Sequence, residues 1–201
     1  MTNNEKIALL KDKIKSLVRH AAEDRVRKHT GQSEFTVIDV DDRIPGQVLG
    51  NWMSLILITG SALKITLKLH FSHKDIKSLI YPIYQKSSAA EISDQQAMDF
   101  VKELCNLTAG FIEQTFESHD ISLGISLPLG TRGFYELFAD YSPSHYPIIK
   151  DHDLWCLRFN DLSIFGTAMF EINDANALEN FPNFDQETQE EDADEGEFDF
   201  L

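Results

Sequence analysis

The chain has 201 residues, of which 42% are hydrophobic and 14 are Phe, enough to close one substantial core without metals or disulfides and uncomfortable for two independent ones. Its formal net charge is -15, but residues 171–201 hold 12 acidic groups and no Lys or Arg, which leaves 21 acids against 18 bases in residues 1–170, a net of -3. A nearly neutral body with an acidic end invites neither nucleic acid nor an anionic membrane surface, and with no charged leader, no apolar h-region and no apolar run longer than a strand, a soluble cytoplasmic protein is expected.

Residues 4–29 place Ile7, Leu10, Ile14, Leu17, Val18 and Ala21 at helical spacing among Lys, Asp and Arg, which predicts an amphipathic helix with one face on the body. Residues 34–40 have the aromatic and β-branched character of a strand, and the charged run from Asp39 to Arg43 with Pro45 and Gly46 reads as a loop. Residues 53–59 are a mostly apolar strand, broken by Gly60 and Ser61. From Leu63 the chain alternates, with Leu63, Ile65, Leu67 and Leu69 on one face and Lys64, Thr66, Lys68 and His70 on the other, the pattern of a strand wet on one side. The two strands read as a hairpin.

Residues 75–84 form a short helix candidate in which Pro82 cannot sit comfortably inside. After a polar linker at 85–91, Ser93 with Gln96 three residues on makes a capping box, and a long helix is predicted to about residue 117. Ala97, Val101, Leu104, Cys105, Thr108, Phe111 and Ile112 form its apolar flank, and Asp99, Glu103, Asn106, Gly110, Glu113 and Glu117 recur three or four apart on another. Strands follow at 121–127, 133–139, 154–159 and 163–171, with a loop at 143–147 and a hairpin turn at Asn160 and Asp161. The order is helix, three strands, two helices, four strands. Short connections predict an α/β fold of the α+β kind, a largely antiparallel sheet covered by helices on one side. Residues 1–172 are expected to form the domain and 173–201 a solvated, disordered acidic tail. That tail ends in Phe198, Asp199, Phe200 and Leu201, and it serves either solubility or docking as a short peptide motif.

Familiar catalytic patterns are missing. There is no phosphate-binding Gly-rich loop, no His-Glu-x-x-His, no Cys-x-x-Cys and no nucleophile elbow. His20, His29, His70, His73, His119, His145 and His152 fall in no metal-binding spacing and read as solvated surface or loop residues, so no metal site is expected. Lys64 and Lys68 read as solubilising charges or as part of a partner surface. Cys105 and Cys156 could form one bridge, but each lies in an apolar element and reads as a buried structural thiol in a reducing compartment.

The segment from Asp99 to Gly110 stands apart. Glu103 and Asn106 lie one turn apart on a rigid helix, with side chains leaning the same way. A carboxylate there can pair with a partner's cation, and a carboxamide can both donate to and accept from a water. Neither is a strong nucleophile, so the pair suits placing a reactant in another protein's active site. Gly110 costs about 1 kcal/mol of helix propensity relative to Ala, and the expected return is close approach to a neighbouring strand or helix.

The run Asp99-Phe-Val-Lys-Glu103-Leu-Cys-Asn106-Leu-Thr-Ala-Gly110 resembles the signature helix of the CheC/CheX/FliY family, chemotaxis phosphatases that act on response regulators in two-component signalling. The likeness takes in the Thr59-Gly60 break, the alternating strand after it, the following short helix, and Pro128 after the signature helix, one residue nearer to the Asn than is usual. The resemblance implies a helix-covered antiparallel sheet with approximate internal two-fold symmetry. It also implies a protein aspartyl-phosphate phosphatase whose partner is a phosphorylated receiver domain. Glu103 would grip a lysine of the receiver, Asn106 would orient the attacking water, and Asp99 would frame the docking surface. Mg²⁺ and the phosphorylated aspartate would belong to the partner, so no cofactor of its own is expected.

Two-site members of that family repeat the motif on the first helix, but here Val26 stands where an amide should follow Glu23. The chain is therefore similar to the single-site, CheX-like branch, which implies a homodimer. The alternatives are a non-catalytic receiver-binding or scaffold protein of the same fold, and a regulatory domain with no receiver partner.

Overall fold

The computed structural model describes residues 3–32, 34–40, 50–133, 149–179 and 181–182. Its elements run α1 (Asn3–Thr30), β1 (Thr36–Asp39), β2 (Trp52–Thr59), β3 (Leu63–Phe71), α2 (His73–Ile80), a 3-10 turn (Ala89–Glu91), α3 (Asp94–Glu117), β4 (Gly124–Ile125), β5 (Leu129–Arg132), β6 (Ile149–Phe159) and β7 (Leu162–Ile172). Among the described residues seven strands make one sheet in the order β1-β6-β7-β3-β2-β4, with β5 also on the outer edge of β2, and every pairing among them is antiparallel. The antiparallel sheet under helices agrees with the sequence, and β5 is a strand that the sequence reading did not mark, between its expected strands at 121–127 and 133–139. The loop expected around Pro45, residues 134–139 of the strand expected at 133–139, the loop at 143–147 and the chain end beyond 182 lie outside the described residues.

Each strand sends alternate side chains to the helix layer. Ile56 and Ile58 of β2, Leu63 to Phe71 at odd positions of β3, Trp155 and Leu157 of β6, and Ala168 and Phe170 of β7 join one core with α1 and α3. α1 contributes Leu10, Ile14, Leu17, Val18, Ala21, Ala22 and Val26, all buried. α2 begins at a Ser72 cap, whose hydroxyl accepts from the Asp75 amide, and it ends at Ile80, two residues before Pro82.

The strand expected at 121–127 is reduced to Gly124 and Ile125, and three further features depart from the sequence reading. The even face of β3 is not wet: Thr66, Lys68 and His70 are 4% exposed or less. β3 lies centrally between β2 and β7, so long side chains of both neighbours stand beside it, and His70 Nε2 meets Thr167 Oγ1 at 3.1 Å. Burial, with Lys68 adding to it, pushes the His70 imidazole down to about 4. Lys64 is half-buried and pairs with Glu171 at 3.4 Å.

Second, β6 begins five residues before the apolar run that marks it in the sequence. Asp151 and Asp153 face the helix layer, where Lys11, Lys15 and Arg19 of α1 meet them, so charged residues become helix-to-sheet links. Arg19 forks onto Asp153, with Nε to Oδ2 at 2.6 Å and Nη2 to Oδ1 at 2.7 Å.

Third, the packed chain continues past residue 172. Leu178 and Phe181 are each 1% exposed, and Phe181 stacks on Phe116 with ring centroids 4.4 Å apart. Burial of two such side chains contributes roughly 2 kcal/mol each, and the segment is held further by Lys6 to Glu179 at 2.7 Å and Lys13 to the Phe181 carbonyl. Acidic composition hid these anchors because they are isolated apolar residues with no periodicity.

Candidate functional site on the third helix

α3 is set by its first turn. The Ser93 hydroxyl accepts from the Gln96 amide at 3.1 Å, and the Gln96 side chain accepts from the Ser93 amide at 2.9 Å, completing the capping box. Ala97, Phe100, Val101, Leu104, Cys105, Thr108, Ala109, Ile112 and Phe116 are buried on the sheet and α1. Cys105 is fully buried, which pushes its thiol up to about 12. Cys156 is also a free, buried thiol, and strand alternation places it on the face of the sheet away from the core, so the sheet separates the two.

That burial fixes which flank of α3 faces water. Asp99 and Glu103 are exposed, Asn106 and Gly110 half-buried. Asp99 Oδ1 accepts from Gln95 Nε2 at 2.7 Å, one turn earlier. Among the described residues no hydrogen bond engages the Asn106 side chain, whose carboxamide can both donate and accept. A Cβ on Gly110 would meet nothing within 4 Å. The expected close approach to a neighbouring element is therefore absent, because Gly110 lies on the outward flank. What the missing side chain leaves is clear space one turn beyond Asn106.

α1 runs along one border of this flank. His29 stacks on Phe100 with centroids 4.6 Å apart, His20 lies 5.8 Å from the Phe111 ring, and the Arg25 guanidinium sits 4.9 Å above Phe111. Burial lowers the His29 pKa, and the nearby Glu103 carboxylate opposes that shift. His29 Nε2 is buried without a hydrogen-bond partner. Sequence gave no reason to single out His29 among seven histidines, since its place beside Glu103 arises only when α1 packs on α3. The edge strand forms the other border. A Cβ on Gly130 of β5 would lie 2.4 Å from Met98 Sδ, so the Met98 side chain lies over Gly130 where the first turns of α3 cross the sheet edge.

The corresponding stretch of α1 carries no comparable pair. Glu23 is tied to Arg27 at 2.9 Å, and Val26 is 0% exposed. Among the described residues no group of three or more His, Cys, Asp or Glu could hold a metal ion, and no helix is long and apolar enough to cross a membrane.

The arrangement can do two things chemically. It offers a carboxylate to a cation, and one turn away an amide with no side-chain hydrogen bond among the described residues, suited to a water or a phosphoryl oxygen.

No protein-family model matches the chain, and no curated protein matches it. Solved structures do share its fold. A chemotactic CheC-like protein from Shewanella oneidensis MR-1 superposes with a TM-score of 0.56 at 15% identity, over 81% of this chain and 97% of the other. The CheX–CheY–BeF3–Mg²⁺ complex from Borrelia burgdorferi gives 0.55 at 13% identity, over 81% and 99%. The FliM–SpeE complex from H. pylori gives 0.52 at 5% identity, over 89% and 96%. The architecture is thus the α/β, helix-covered antiparallel fold of CheC- and CheX-like proteins.

Proposed function

We propose that this protein is an aspartyl-phosphate phosphatase for a phosphorylated receiver domain, with α3 as the docking helix. One observation carries the reading: Glu103 and Asn106, whose side chain makes no hydrogen bond among the described residues, stand one turn apart on the outward flank of the helix whose sequence resembles the family signature. Glu103 is the docking anion, which pairs with a cation of the receiver. Asn106 enters the receiver's site and holds a water in line with the phosphorus. Asp99, fixed by Gln95, frames the docking surface. Mg²⁺ and the acyl phosphate are the partner's own, so this chain contributes proximity and orientation. The fold's likeness to the CheX of a CheX–CheY complex supports the choice of a receiver as partner. Self-association of the CheX-like kind is a further expectation, which sedimentation would measure.

The test is the decay of phosphorylated receiver domains with catalytic amounts of the parent protein, Glu103→Ala and Asn106→Ala. Acceleration by the parent is expected, with Asn106→Ala slower by roughly 10²-fold because orientation of the water is lost. Full activity of Asn106→Ala would sink the assignment. A second reading, a non-catalytic receiver-binding scaffold, is kept because the FliM–SpeE complex shares the fold as well, and the fold alone does not select for catalysis. Saturable binding without acceleration would favour it.

A further inference from the structure

Leu127 is 90% exposed, far beyond the other large hydrophobic residues in the described chain, and its neighbours Leu129 and Ile125 are 53% and 37% exposed. It sits on a bulge. Ile125 stands opposite Ile58 and Leu129 opposite Leu55, so residues 126–128 of the edge span only two residues of β2. Ser126 holds the bulge to the ladder. Its amide donates to the Leu57 carbonyl at 2.9 Å, its hydroxyl accepts from the Leu57 amide at 3.0 Å, and the same hydroxyl donates to the Leu127 carbonyl at 3.1 Å. Pro128 has no amide to pair. The backbone is fixed on both sides of Leu127 while its side chain has no task inside the fold.

The edge also has a definite place. It runs back along α3, from Ile121, whose amide bonds the Phe116 carbonyl, to Gly130 against Met98. The bulge therefore lies on the sheet edge between these two points, along the side of α3 away from α1. The Glu103 and Asn106 flank is acidic, with Asp99, Glu103, Glu113 and Glu117. Exposed charges orient and steer a partner but add little affinity, and binding energy concentrates in apolar residues that a partner desolvates inside a polar rim.

We propose that Leu127 is the apolar anchor of the surface that receives the receiver domain. This rests on the proposed function and adds a specificity determinant to it. The partner presents a basic group to Glu103 and, beside it, a shallow apolar depression that takes Leu127. Leu127 acts on binding and Asn106 on turnover.

The experiment measures the Kd of beryllofluoride- and Mg²⁺-loaded receiver domain, and kcat and KM for its phosphorylated form, for the parent, Leu127→Ala, Leu127→Asp, Asn106→Ala and Leu9→Ala. Leu9, 40% exposed on α1, is the control for a solvent leucine elsewhere. Loss of a desolvated leucine predicts a Kd weaker by roughly 10- to 100-fold for Leu127→Ala, more for Leu127→Asp, with kcat and Tm unchanged. Asn106→Ala keeps its Kd and loses kcat, and Leu9→Ala changes neither. Parent binding with both Leu127 variants within about twofold of it overturns this inference alone. So does a sedimentation change on Leu127→Asp with receiver affinity intact, which makes the bulge a contact between copies of this chain. A parent that neither binds nor dephosphorylates any receiver removes the proposed function, and this anchor with it.

Discussion

The two long helices lie side by side on the same sheet and use their polar residues in opposite ways. α1 directs its charges inward and sideways. Lys11 and Lys15 meet Asp151, Arg19 grips Asp153 and Asp39, Glu23 pairs with Arg27, and Asp24 with Lys28. α3 leaves its outer flank open, with Asp99 held only by a neighbour on the same helix and Asn106 held by nothing among the described residues. A helix whose charges are committed to its own sheet fixes the architecture, and one whose polar groups are uncommitted can receive another molecule. Composition contributes to the difference: α1 carries 12 charged residues in 28, eight of them Lys or Arg, whereas α3 carries six in 24, with Lys102 as its one cation.

The sharpest test of that contrast moves the amide. Val26→Asn would give α1 the Glu-x-x-amide spacing of α3, but Val26 is 0% exposed, so the carboxamide would be buried. We expect a loss on the order of 4 kcal/mol from removed packing and an unsatisfied amide, measured by urea unfolding, and no gain in receiver dephosphorylation. A stable variant with a second working site would break the comparison. Next in size is Asp153→Ala. Asp153 is 8% exposed and takes a bidentate pair from Arg19, a contact that raises the already high guanidinium pKa further. Because Arg19 is half-exposed and keeps Asp39, the expected loss is about 2 kcal/mol rather than the full cost of orphaning a buried charge, read from the same unfolding curves. The smallest effect is expected at Gly110→Ala. With open space around the new methyl, helix propensity should stabilise the fold by about 1 kcal/mol. If the bare helix surface admits the partner, turnover of phosphorylated receiver falls while stability rises. Unchanged turnover would show that Gly110 serves no approach.

Much of the fold was readable in the sequence because the relevant signals are local. The capping box at Ser93 and Gln96, the odd-position leucines of β3, and Asn160 in the β6–β7 turn, where it adopts a φ of 52°, all depend on neighbours a few residues away. The readings that failed were those in which a distant partner reverses a local rule. Charged Asp151 and Asp153 belong to a strand because α1 supplies cations over it. Lys68 and His70 are buried because β3 is central. Leu178 and Phe181 belong to the core because α3 ends beneath them. The strand expected at 121–127 is reduced to two paired residues, after which the bulge displaces Leu127 and Pro128 from the ladder.

The candidate site divides along the same line. Sequence alone determined that Glu103 and Asn106 share a rigid flank, because helical pitch fixes that relation within one turn. Only the tertiary structure decided that this flank faces water, that His29 borders Glu103, that no described residue crowds Gly110 and that Leu127 stands exposed on the sheet edge along the other side of α3. Those facts depend on which surfaces the other elements cover, a property of the packed chain that no local stretch of residues encodes.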